Sequence, residues 1–165
     1  MAWQYEILVV ANVTADSPEL VEALRQRAER DRCHFTLLVP APAAGREGRE
    51  AAERRVTAAL EQIRPAGLEI DGLAGDHDAL SAVREAWDPA RFDEIIVSTL
   101  PTGSSKWLQV DLPHRVGQVT DTPVTHVVAQ PPQPEPEIRH RERPDSLGLL
   151  SPLGAVTGSG RPRHS

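Results

Sequence analysis

The chain has 165 residues, 39% of them hydrophobic, a formal net charge of −6 and a mean hydropathy of −0.37. This length supports one domain with a sizeable core, and the acidic balance argues against a non-specific nucleic-acid binder, which would carry a basic face. No apolar run approaches the roughly 18 residues of a membrane span. The stretch from Met1 to Glu6 lacks the basic region of a signal peptide, and the lone Cys33 excludes an internal disulfide or a cysteine-based zinc site, so cytoplasmic placement is the expectation.

In chain order, Glu6 to Ala11 is a continuous apolar run ending at Asn12, as expected of a strand buried on both faces of a parallel sheet. Asp16 or Ser17 caps a following helix with Pro18 near its first position, and Leu20, Ala23, Leu24 and Ala28 form its apolar face. His34 to Val39 reads as a second strand stopped by Pro40 and Pro42, and Ala41 to Gly48 as a loop. A helix is predicted from about Glu50 to Ile63, with Pro65 and Gly67 ending it. Leu68 to Leu73, where Glu69 and Asp71 alternate with apolar residues, fits an edge strand.

Asp76-His77-Asp78 offers carboxylate caps to a third helix marked by Leu80, Val83 and Trp87 and closed by Asp88-Pro89. Glu94 to Val97 is the fourth strand. It opens into a Thr/Ser-rich loop, Thr99 to Lys106, and a helix starting near Trp107, Leu108 and Val110. Pro113 must interrupt that helix. Asp111 is placed to recap it, with Val116 and Val119 on its buried side. Val124 to Val128 is the fifth strand. Strands alternating with helices imply an α/β fold: a five-stranded, doubly wound parallel sheet between helical layers, a Rossmann-like α/β/α sandwich, over residues 1–130. Residues 131–165 begin with a Pro-rich, PPII-like run and continue rich in Arg, Gly, Ser and Pro, so a disordered tail is expected. Leu147 to Leu153 within it read either as a docking motif or as the apolar residues of any tail.

Ligands of such sheets bind at the carboxyl ends of the strands, beside the point where the strand order reverses. This gathers Asn12, Thr14, Val39, Ser98, Thr99, Thr102, Gly103, Ser104 and Ser105 around one crevice, with Lys106 and Arg115 as counter-charges for an anion. A strand running into small hydroxylated residues and a helix start is how α/β folds build phosphate sites from free N–H groups. The alternative for Ser104 or Ser105 is a helix N-cap, for Lys106 a solvated side chain, and for Arg115 a surface ion pair. Trp107 either closes the pocket mouth or packs on the sheet, packing being the expected role. Catalytic patterns are absent: there is no Gly-x-Ser-x-Gly elbow, Walker A sequence or Gly-x-Gly-x-x-Gly, and the six histidines show no metal-ligand spacing beyond the Asp76-His77-Asp78 junction, where capping is the commoner role.

The element order, the Gly75-Asp76 pair leading into a helix, Asp93 to Val97 leading into the loop, and the closing segment Thr122-Pro123-Val124-Thr125-His126-Val127-Val128 together resemble the universal stress protein family from about Tyr5 to Ala129. ATP-binding members of that family carry Gly-x2-Gly-x9-Gly-Ser/Thr after the fourth strand. Here Ser98 stands at the first glycine, Pro101 at the second, and Val110-Asp111 near the final pair, one residue short. Proline donates no N–H, and a carboxylate at 111 would repel a terminal phosphate. The usual acidic residue after the first strand is replaced by Asn12.

The resemblance therefore implies a universal-stress-protein-type fold acting as a cytoplasmic regulator or sensor, without catalysis, in which ATP binding is weak or lost. The alternatives are an adenine-nucleotide-binding stress protein with an altered phosphate loop, possessing slow hydrolysis at most, and an interaction module whose tail recruits a protein partner. No cofactor is assigned; the candidate ligands are an adenine nucleotide or a small phosphate-bearing molecule. The resemblance also implies a homodimer paired through the last strand, with neither nucleic acid nor membrane as partner.

Overall fold

The computed structural model of the protein describes residues 3–101 and 103–130. Thr102 and the tail expected over 131–165 lie outside the described residues. Five strands, β1 (Tyr5–Val10), β2 (Cys33–Pro40), β3 (Ile70–Gly75), β4 (Glu94–Thr99) and β5 (Val124–Val128), form one sheet in the order β3-β2-β1-β4-β5. Every neighbouring pair is parallel. The helices are α1 (Pro18–Arg30), α2 (Arg46–Ile63), α3 (Ala79–Ala86), α4 (Lys106–Gln109) and α5 (Leu112–Thr120), with a single 3₁₀ turn at Arg64–Ala66.

Alternation along β1 sends successive side chains to opposite layers. Ile7 and Val9 join Phe35, Leu37 and Val39 against Leu20 and Leu24 of α1 and against Ala52, Val56, Ala59 and Ile63 of α2. Leu8 and Val10 join Leu38, Ile95 and Val97 against Leu80 and Val83 of α3 and Leu112 and Val116 of α5. A strand apolar at every position is thus what burial on two faces demands, and Ile7 to Ala11 are wholly inaccessible to solvent.

Local chemistry fixes the element ends. Ser17 is the N-cap of α1, its hydroxyl accepting from Leu20 N at 3.2 Å, and Pro18 follows at the first helical position. Asp78 caps α3 by accepting from Ser81 N. Bonds from the Ser81 side chain and backbone hold the Asp78 carboxyl below its usual range, with Arg115 also acting across from α5.

Three boundaries differ from expectation. Helix α2 starts at Arg46, not near Glu50, because Gly45 turns the chain at φ 91° and Gly48 lets the Ala43 carbonyl approach. A Cβ at 48 would stand 1.9 Å from that oxygen, so the position reads as loop in sequence yet lies inside the helix. Strand β3 runs to Gly75, where the missing side chain admits Ala82 of α3. Finally, Val119 is 38% exposed, not on the buried side of α5. Trp87 ends α3 and stacks on Phe92 with ring centroids 5.8 Å apart.

Candidate functional site

The chain leaves β1 through α1 to one side of the sheet and returns through α3 to β4 on the other. The strand order therefore reverses between β1 and β4, and a crevice opens beyond their carboxyl ends. A cavity of about 410 Å³ occupies it. Asn12 and Thr14 line it after β1, Ser98, Thr99 and Leu100 at the end of β4, and Ser104, Ser105, Lys106 and Trp107 at the start of α4. The walls are completed by Val13, Ala41, Pro42, His77 and Arg55, the last reaching in from α2.

Seven of the expected residues (Asn12, Thr14, Ser98, Thr99, Ser104, Ser105 and Lys106) thus meet around one cavity. Val39 does not: its side chain is fully buried in the core beneath α1 and α2. Arg115 is outside the lining and acts on Asp78 at the cap of α3. Gly103, at φ 95°, makes the turn before α4 and contributes no wall. Thr102 is outside the described residues.

Most hydroxyls in this lining are already engaged within the fold. Thr14 Oγ1 and Ser98 Oγ lie 2.7 Å apart, both buried, and bridge β1 to β4 across the switch point. Thr99 Oγ1 donates to Leu100 O and meets His126 Nε2 at 2.7 Å. With the hydroxyl hydrogen so used, that nitrogen must be the donor, which fixes the neutral imidazole as the Nε2–H tautomer. Burial lowers the His126 pKa, favouring this neutral form. Ser105 Oγ is the N-cap of α4, accepting from Leu108 N at 3.3 Å.

The loop itself is folded inward. The N–H groups of Ser104 and Ser105 both point back to the Pro101 carbonyl, at 3.0 and 3.2 Å. A phosphate nest needs consecutive N–H groups directed at the ligand, and these two are directed at the loop. Asp111 has φ 54° and stands at the N-cap position of α5, but its carboxylate makes no capping bond, so the recapping expected of it does not occur.

Positive charge enters from an unexpected direction. Arg55 donates through Nη1 to Asn12 Oδ1. It lies beside Ala52 and Ala59 on α2, at the margin of the helix face that packs on the sheet. An arginine at i+3 from one buried alanine and i−4 from another was the sequence signal for a side chain directed along the sheet toward its carboxyl end. Arg55 and Lys106 bring positive charge to the cavity, and among the described residues none that lines it is acidic. Among the described residues no cluster of three His, Cys, Asp or Glu side chains is arranged to hold a metal. What the site offers is the positive charge of Arg55 and Lys106 beside the apolar Val13, Leu100 and Trp107, which suits binding of an anion.

No protein-family model and no curated protein matches this sequence. Solved structures do. A universal stress protein from Archaeoglobus fulgidus aligns with TM-score 0.54 at 18% identity, over 74% of this chain and 93% of its own. A structure of the universal stress protein from Archaeoglobus fulgidus in complex with dAMP aligns with TM-score 0.55 at 15% identity, over 77% of this chain and 99% of that one. A universal stress protein in complex with cAMP aligns with TM-score 0.53 at 19% identity, over 78% and 99%. The fold of residues 3–130 is that of the universal stress proteins.

Proposed function

We propose that this protein is a universal-stress-protein-like regulator or sensor that works by binding and not by catalysis, and that its crevice takes ATP weakly or not at all. The observation that carries the reading is the inward direction of the Ser104 and Ser105 N–H groups. Ser104 and Ser105 give their N–H groups to Pro101 O, while Ser98 is tied to Thr14. A triphosphate would have to break both arrangements before it could be cradled. Structural neighbours hold dAMP and cAMP, each with a single phosphate, which supports an adenine mononucleotide or another small phosphate-bearing ligand.

The rest of the reading concerns setting and partners. No described helix is long and apolar enough to cross a membrane, and a cytoplasmic homodimer paired through β5 is the proposed working state. Recruitment of a protein partner through residues 131–165 is the reading that remains if no nucleotide binds.

Thermal unfolding with a panel of adenine nucleotides tests this. A ligand present at 100 times its Kd adds about 2.7 kcal/mol of stability. Millimolar ATP should leave the transition almost unmoved, and sub-micromolar ATP affinity by calorimetry would overturn the reading.

A further inference from the structure

The side of the crevice opposite the closed loop carries the charge that a ligand would need. Helix α2 holds several arginines, but Arg46 and Arg49 are exposed and paired along the helix with Glu50 and Glu53. Arg55 alone turns into the cavity, half-buried, and among the described residues its hydrogen-bond partner is a neutral amide, Asn12. A partly buried guanidinium without a carboxylate is incompletely compensated, and it favours an anion that can complete the pairing. Its Nε and Nη2 donors form the planar fork that grips two oxygens of a phosphate or carboxylate together.

From this we infer that Arg55, oriented by Asn12, is the anion-reading residue of the crevice, and that the ligand is a small molecule with one compact anionic group, such as a phosphate monoester. This rests on the proposal above that the crevice is a ligand site. The volume of about 410 Å³ suits such a molecule. The anion lies toward α2, while the organic part meets Val13, Leu100 and Trp107. Asn12 is essential to the device because an amide orients the guanidinium without neutralising it. An aspartate at 12 would keep the geometry and cancel the charge.

Isothermal titration of the full chain with AMP, adenosine, inorganic phosphate and ATP tests the inference. The variants are Arg55→Gln, Asn12→Asp and Lys106→Gln, each checked for an unchanged thermal transition. AMP should bind at least about tenfold more tightly than adenosine, and ATP no more tightly than AMP. Both Arg55→Gln and Asn12→Asp should abolish the preference for AMP over adenosine. The Asn12→Asp result separates charge from packing, since that variant retains Arg55. AMP affinity that survives both changes but falls with Lys106→Gln would overturn the inference and leave nucleotide binding intact. Phosphate binding that depends on Arg55, without any affinity for AMP or adenosine, would support Arg55 and refute the adenine reading. No binding by any of the four would refute both.

Discussion

His34 shows how a single residue can hold three strands. Its Nδ1 meets Glu6 of β1 at 2.8 Å and its Nε2 meets Asp71 of β3 at 2.9 Å. Burial opposes protonation of the ring, but the bonds to the two carboxylates outweigh it, and the pKa is raised. The surrounding charges are Arg64, 3.6 Å from Asp71, and Arg91, which reaches Thr36 on the next turn of the pleat. A raised folded-state pKa stabilises fully below the unfolded value of about 6.5, and the gain is lost as pH rises through the folded value. Urea unfolding midpoints should therefore fall as pH rises above about 6.5, and His34→Gln should flatten that dependence. A profile unchanged by the substitution would show that the staple contributes nothing. Arg27 offers the contrasting case. Its guanidinium grips Glu94 through Nε and Nη2, at 3.0 and 2.6 Å, and Asp31 through Nη1, while lying over the Tyr5 ring. The bond to Glu94 raises its pKa further, so the guanidinium stays charged across the accessible range. Arg27→Met should cost about 2 kcal/mol, measured by chemical denaturation, because a charged hydrogen-bond network is cut and Glu94 loses its partner.

At the scale of elements, the loop between β4 and α4 decides what the crevice can accept. The Ser98→Gly and Pro101→Gly double variant should raise ATP affinity by about tenfold or more, since it removes the β1–β4 latch and restores a backbone N–H at 101. Asp111→Gly should add to the gain, because glycine accepts φ 54° freely and the carboxylate is removed. Calorimetry of the double and triple variants checks this, and unchanged ATP affinity would place the obstacle elsewhere. The neighbouring close contact makes a second prediction. Gly75→Ala would bring a Cβ to 2.7 Å from Ala82 and 2.8 Å from Leu38, so α3 must shift, with a cost of about 1–3 kcal/mol in unfolding free energy. Elements defined by a continuous apolar run, such as β1, were legible in the sequence because burial on both faces leaves no other composition. The start of α2 was not, since Gly45 and Gly48 read as helix breakers although Gly48 lies inside the helix, where it admits the Ala43 carbonyl of the preceding loop. The site followed the same division. Asn12, Thr14 and the Ser-rich loop announced themselves by position after a strand, whereas the engagement of their hydroxyls with one another depends on strands that are distant in sequence. Arg55 escaped notice because a charged residue on a long amphipathic helix ordinarily faces solvent.

At the scale of the whole molecule, the sheet of the described residues has one guarded edge and one open edge. β3 carries Asp71, tied to His34 and approached by Arg64. β5 pairs only with β4 among the described residues, and Val128 at its end is 43% exposed. A copy docking there would cover backbone groups and apolar surface together. Sedimentation at micromolar concentration should give about twice the 18.0 kDa chain mass. Val127→Lys should shift the protein toward monomer, and a wild-type chain that is already monomeric at that concentration would refute the pairing. The asymmetry of the edges then sets where assembly stops. Joining β5 to β5 about a two-fold axis yields one continuous ten-stranded sheet by doubling the five strands seen here. Both of its outer margins are β3, whose charges discourage another strand. Under that pairing growth would halt at two copies, and a fold that offers a strand for recruitment would be protected from becoming a fibre.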